Sequence, residues 1–255
     1  MEYGQLLVIS AAVIGSAIIK NSVGIGAGIF LLPLLSLVLP PKLALALGAP
    51  AMLVSDLVGV RSYWQEWDRE ELLFLLPPAV GGVVLGGVLI ALVPGDVFKI
   101  AVGVTAVVFS IYNLFRTGIA GGVSSNRPDF KAVHQIYRRL LTILFGFAGG
   151  TASTLIHAGG MVMSVYLISQ QRSSRRFVGT LVLFFATINF FKVLTYYRIG
   201  ILNRDILVLV GCLSPLIILG GVLGNHLNKR IAARLFRTIT LVLVFLIGLR
   251  LLTTI

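Results

Sequence analysis

The stretch LLFLLPPAVGGVVLGGVLIALV, residues 72–93, runs for twenty-two residues without a charge. As a helix it is long enough to cross the hydrocarbon of a bilayer. A second run, ILVLVGCLSPLIILGGVLGN at 206–225, is of the same kind. A water-soluble fold would have to bury such runs whole and cover them with charge, yet only 12% of the 255 residues are charged while 57% are hydrophobic. Soluble domains carry roughly 25% charge. The runs are continuously apolar instead of alternating, which argues against a transmembrane β-barrel. The fold class expected is therefore an all-α polytopic membrane protein.

Cutting the chain at charges, prolines and polar clusters yields about ten apolar segments, most near spanning length. Their limits are near 4–19, 22–39, 43–62, 71–93, 97–115, 137–156, 158–170, 176–197, 205–226 and 233–254. The N-terminus begins acidic and has no small-residue cleavage site, so it reads as the first helix and not as a signal peptide. One long polar connection, Arg116 to Arg139, divides the segments five and five. This gives a first transmembrane repeat at 1–116, a cytoplasmic connection at 117–136 and a second repeat at 137–255.

The halves align in order. GIGAGIFLLPLL lies over IHAGGMVMSVYL, LGAP over VGTL, WDREELL over LNRDILV, PPAVGGVVLG over PLIILGGVLG, and VFKI over LFRT. An odd number of crossings per repeat makes the second half enter from the opposite side, the inverted-repeat architecture of many secondary transporters. Broken or re-entrant helices are expected at the glycine-rich motifs. The 21 Lys and Arg against 9 Asp and Glu fit basic cytoplasmic loops better than a nucleic-acid surface. With the N-terminus outside, fifteen basic residues fall on the inner face and five on the outer. Both termini are then extracytoplasmic.

Glycines at 24, 26 and 28 weaken a helix, so they suit a place where two helix ends meet and a backbone or ligand comes close. A helix starting there presents unpaired N–H groups and the positive end of its dipole, a ready anion site. Lys20, Asn21 and Ser22 lie just before this break. The second copy offers Ser153, Thr154 and His157 beside Gly159 and Gly160. Tight helix packing through small residues is the alternative reading of these glycines.

Charges inside apolar segments are expensive and face a cavity or a partner. Asp56 lies mid-segment, and the repeat puts Asn189 opposite it at equivalent depth. Lys192 follows Asn189 by three residues and shares its helical face. A cation and an amide on one face suit the oxygens of an oxyanion. Asp56 is the candidate for proton coupling or gating, with Arg61, five residues on, as its candidate ion-pair partner. The competing readings are snorkelling of Lys20 and Lys192 to opposite interfaces, a helix-capping Asp56, and a simply packed His157. Trp64, Trp67, Tyr196 and Tyr197 read as interfacial anchors, and Cys212 as core packing. The clusters RSSRR at 172–176 and NKRIAARLFR at 228–237 read as topology signals and lipid-phosphate contacts.

The two glycine motifs, the following VGT and the five-plus-five layout resemble the sulfite exporter TauE/SafE family, also called the toluene sulfonate uptake permease family. The resemblance spans nearly the whole chain, with Ala27 and His157 departing from the usual glycine pattern. It implies a prokaryotic inner-membrane transporter of sulfite, sulfoacetate or other organosulfonates, export ahead of uptake, with no ATP hydrolysis and no cofactor. The partners it implies are a small sulfur-containing anion, protons if transport is coupled, and membrane lipids, in a monomer or homodimer. Uptake of sulfate or thiosulfate is the nearest alternative. An intramembrane enzyme has little support, since the chain lacks H-E-x-x-H, G-x-S-x-G and P-loop motifs and its three histidines, His134, His157 and His226, form no evident metal triad. A non-transporting assembly subunit is the third class.

Overall fold

The structure, a computed structural model, describes residues 3–23, 26–119, 135–169, 174–227 and 233–253. Ten helices account for nearly all of these: α1 (Tyr3–Val23), α2 (Ala27–Leu35), α3 (Pro41–Ser62), α4 (Arg69–Leu92), α5 (Gly95–Ile119), α6 (Gln135–Ile156), α7 (Gly159–Ser169), α8 (Ser174–Arg198), α9 (Arg204–Leu227) and α10 (Ala233–Thr253). Residues 120–134, which make up most of the expected connection at 117–136, lie outside the described residues, as do 228–232 of the second basic cluster and two residues of the first.

Local chemistry starts these helices at the same points in both halves. Asp68 caps α4, its carboxylate accepting from Glu71 N–H at 3.0 Å, with Glu70 and Glu71 in the first turn. Asn203 does the same for α9, accepting from Ile206 N–H at 3.0 Å, with Asp205 in the first turn. Both place a side-chain oxygen on an orphan donor and negative charge at the positive dipole end. In the aligned pair GIGAGI and IHAGGM, Ala27 stands over Gly159, and these residues begin α2 and α7.

Among the described residues six helices are long and apolar enough to cross a bilayer: α1, α3, α4, α6, α8 and α9. The second and seventh segments do not meet that expectation. The apolar run at 22–39 gives a helix of only 9 residues, and 158–170 gives one of 11. At 1.5 Å per residue these reach roughly 14 and 17 Å, about half of a hydrocarbon core near 30 Å. They are half-helices beside long ones.

The most extensive helix pairings respect the division into two sets of five. α1 packs on α9 and α6 on α4, α3 on α9 and α8 on α4, while α3 meets α8 and α5 meets α10. Exchanging the two sets maps each of these pairings onto another or onto itself. Small residues allow the closest approaches. A Cβ on Gly150 of α6 would strike the backbone of Ala79 in α4, and one on Gly224 of α9 would lie 2.6 Å from Ile18 O in α1. Outward faces are apolar, as Leu73, Val84 and Val88 of α4 and Val208, Leu219 and Leu223 of α9 illustrate, which suits lipid and not water. Cys212 is exposed on α9 and is not the core residue that its apolar surroundings suggest.

Gly150→Val should lower the melting temperature of the detergent-purified protein, because overpacking a helix contact costs about 1–3 kcal/mol and here the obstacle is backbone. Gly81→Val, whose added carbon meets only the Phe147 ring at 3.9 Å, should be tolerated. Equal melting temperatures for the two variants would show that α4 and α6 are not in such close contact.

Candidate functional site

Helix breaks build the site. Gly26 precedes α2 in the left-handed region, at φ 93°, and no side chain caps the helix. The space around that glycine is open, so it is the φ angle and not a close neighbour that calls for glycine there. In the second half α6 ends with His157 at φ 54°, a left-handed conformation unusual for a side-chain-bearing residue. Its N–H donates to Ser153 O at 3.0 Å, and the next N–H, of Ala158, reaches back to Ala152 O at 3.1 Å. This closes α6 as a left-handed C-cap does. The two breaks touch: a Cβ on Gly28 would collide with His157 O and Cβ.

Around them runs a buried chain of polar groups. Lys20 of α1 pairs with Asp56 of α3, Nζ to Oδ1 at 2.6 Å, and donates to Met52 O at 3.2 Å. The other carboxylate oxygen accepts from Asn189 Nδ2 of α8 at 2.7 Å. Asn189 Oδ1 in turn accepts from Lys192 Nζ at 3.0 Å. Lys192 also donates to Ser153 Oγ at 3.3 Å and lies 2.6 Å from His157 Nδ1. A carboxylate only accepts and an ammonium only donates, so the amide of Asn189 has one workable orientation between them. If Lys192 gives its third proton to Nδ1, the imidazole hydrogen sits on Nε2, which is buried facing Gly48 with no hydrogen-bond partner among the described residues.

A cavity of about 30 Å³ opens against this chain. From the first half Lys20, Gly26 and Gly28 line it, and from the second Ser153, His157, Gly160 and Asn189. Asp56 and Lys192 stand one bond behind them, buried at 1% and 0% exposure. The other sequence candidates point elsewhere. Asn21 donates to Ala17 O and Ser55 Oγ where α1 meets α3, and Ser22 to Ile19 O of its own helix. Thr154 donates to Gly150 O, and Gly159 packs on Ser153 and Gly149. Gly24 lies outside the described residues. Arg61 is exposed at the end of α3, and the partner of Asp56 is Lys20 instead. Lys20, with a side chain 12% exposed, and Lys192 do not snorkel.

Sequence reasoning passed over Ala27, Ile29, Met52 and Phe185, which complete the cavity wall. Met52 and Phe185 were within reach of it, each lying one helical turn before a polar residue already singled out, Asp56 and Asn189. Tyr196 is no interfacial anchor. It is buried and donates to Thr154 O at 2.5 Å, while Tyr197 and Trp64 are exposed as anchors are. A second buried cluster also went unseen: Tyr166 of α7 donates to Glu71 of α4 and lies 2.5 Å from Thr142 of α6. The D-x-x-E spacing of Asp68 and Glu71 reads as a capping box, which gives no sign that the Glu71 side chain turns inward.

Long apolar helices beside two half-length ones, with a charged centre drawn from both halves, define a multi-pass membrane protein with a polar site inside the helix bundle. A family model described as Sulfite exporter TauE/SafE matches residues 7–251, and the chain belongs to that family. No curated protein and no solved structure matches it.

Lys20→Met should strand Asp56 as a buried carboxylate and destabilise the protein by about 3–5 kcal/mol. Adding Asp56→Asn should restore part of that loss. In a double-mutant cycle read by unfolding in detergent, a coupling of roughly 1–3 kcal/mol is expected. Additive effects would mean that the two groups do not act as a pair.

Proposed function

We propose that this protein is a secondary transporter of small sulfur-containing anions, sulfite, sulfoacetate or related organosulfonates, working outward across a prokaryotic inner membrane. The observation that carries this reading is a cavity at the half-helix breaks lined by the buried Lys20 of one half, with the buried Lys192 of the other half standing directly behind it on Ser153, His157 and Asn189. An anion leaving water needs donors and positive potential in place of its hydration. Lys20, Ser153, His157 and the N-terminal turns of α2 and α7 offer both. Family membership supports a sulfur oxyanion over other anions.

The swap-invariance of the most extensive helix pairings supports a repeat of five helices. The odd number of segments per repeat supports an inverted one with its axis in the membrane plane, and the bias of Lys and Arg supports extracytoplasmic termini. In such a scaffold one half rocks against the other and the site opens to each side in turn. Asp56 is the proposed coupling group. Two ammonium groups against one carboxylate leave a single net positive charge, so a monoanion neutralises the centre while a dianion calls for one more proton. Asp56 is placed to take it, releasing Lys20 to the anion.

The test is melting-temperature screening of the purified protein with sulfite, sulfate, thiosulfate, sulfoacetate and taurine, followed by flux into liposomes containing only this chain. A ligand that binds only the folded state raises the melting temperature by mass action. Flux in the absence of any other protein would set aside an assembly subunit. If no sulfur anion shifts the transition, the transport reading fails.

Two variants divide binding from coupling. Lys192→Ala should weaken anion binding, because it removes the positive charge that stands directly behind Ser153, His157 and Asn189 at the cavity. Asp56→Asn should bind the anion and lose acceleration of flux by a pH gradient. Full gradient-driven flux in Asp56→Asn would remove this carboxylate from coupling.

A further inference from the structure

The cavity lining is of two kinds. Lys20, Ser153, His157 and Asn189 form the polar one, and Ile29, Met52 and Phe185 the apolar one. The 133-residue offset that joins Asn189 to Asp56 also joins Phe185 to Met52. Each half thus supplies one apolar side chain a single turn before its central polar group, on the same helix face. Polar duplication has a ready account in charge pairing, but the apolar pair has none within the bonding chain. Met52 and Phe185 are free to serve the ligand.

Their surroundings give them different stiffness. The Phe185 ring stands edge-on to Phe184 at 5.4 Å, and Phe184 is fully buried, so the ring is wedged. Met52 hangs over the first turn of α2: its Cε lies 2.9 Å from where a Cβ on Gly28 would be. An unbranched thioether with three rotatable bonds adjusts to what it touches. Of the two apolar side chains, Phe185 is fixed and Met52 yields a little.

An occupant must meet these walls in a particular orientation. Its oxygens face the donors, so whatever else the sulfur carries faces Met52 and Phe185. In sulfite that is a lone pair, and in a sulfonate it is a carbon chain or ring. A cavity of about 30 Å³ has room for one or two water molecules. A compact oxyanion asks for a small displacement of Met52, whereas an aromatic ring asks for the place of Phe185 itself. We infer that Met52 and Phe185 form a size filter, admitting compact sulfur oxyanions and rejecting sulfonates with bulky organic groups. The inference rests on the transport reading above and narrows its substrate class.

The experiment compares sulfite with benzenesulfonate as probes, by melting-temperature titration and by competition for flux in proteoliposomes, for the unmodified protein, Met52→Ala and Phe185→Leu. Sulfite should bind the unmodified protein and benzenesulfonate should fail to compete. In each variant the ratio of apparent Kd values for benzenesulfonate over sulfite should fall at least tenfold, with sulfite still bound. The variants lie on different helices, so Met52→Ala tests the filter even if the ring substitution fails to fold. Equal binding of both probes by the unmodified protein overturns the filter, as does an unchanged ratio in the variants while sulfite still binds. If neither probe binds the unmodified protein, the transport reading falls and the filter with it.

Discussion

An ammonium group held inside a membrane must find an acceptor for each of its protons, and the arrangement at Lys192 follows from that requirement. Its acceptors come from α6 through Ser153, from the break after α6 through His157, and from its own helix through Asn189. Asn189 passes the connection to Asp56 in α3, and Asp56 to Lys20 in α1. Four long helices are thereby held in register by one continuous set of charge-assisted bonds. Ionisable groups at this depth cost several kcal/mol each when unpaired, so sliding α8 past α3 by one turn would expose a penalty that apolar packing could not offset. The close glycine contacts then set α6 of this group against α4, and α1 against α9.

The half-helices are held in unlike ways. α2 is apolar throughout and nearly all of it is buried, and Ser16 of α1 donates to Ala27 O at 3.3 Å, at its first residue. α7 is tied near its far end, where Tyr166 bonds Glu71 and lies against Thr142. One half-helix is thus anchored at its beginning and the other toward its end, and a shift of either breaks a hydrogen bond inside the protein. His157, left-handed and in the way of any Cβ at Gly28, sits where the two half-helices begin.

Aligning the two halves of the sequence made part of this legible. Opposing Asp56 to Asn189 and putting Lys192 on the face of Asn189 required only the alignment and the helical period, and the three side chains are indeed bonded in sequence. The Lys20 to Asp56 ion pair was not legible, because it joins helices 36 residues apart through tertiary packing alone while Arg61 lay on the same helix as an easier partner. Asn21, Ser22 and Thr154 were picked for standing next to glycine breaks, and proximity along the chain does not say which side of a helix a side chain takes. Tyr196 and Tyr197 make the same point: neighbours on a helix point about 100° apart, and only the first turns inward. The end of α2 was hidden because the residues after it, SLVL at 36–39, are as apolar as the helix itself.

Electroneutrality links the bonding chain to the transport proposed above. Lys192 has its three donors occupied by protein, so it contributes potential more than a free hydrogen bond. Lys20 differs, since it lines the cavity and spends its charge on Asp56. On the proposed reading an arriving oxyanion would compete with Asp56 for Lys20, and the carboxylate would keep the amide of Asn189. A proton taken up there would remove its charge just as the anion brings its own. Anion entry and protonation of Asp56 would then lower each other's cost, and this reciprocity is what linkage between two ligands at one centre requires. A network that was fully satisfied without the anion, with no cation facing the cavity, would hold the same helices together and have no means of coupling one ion to the other.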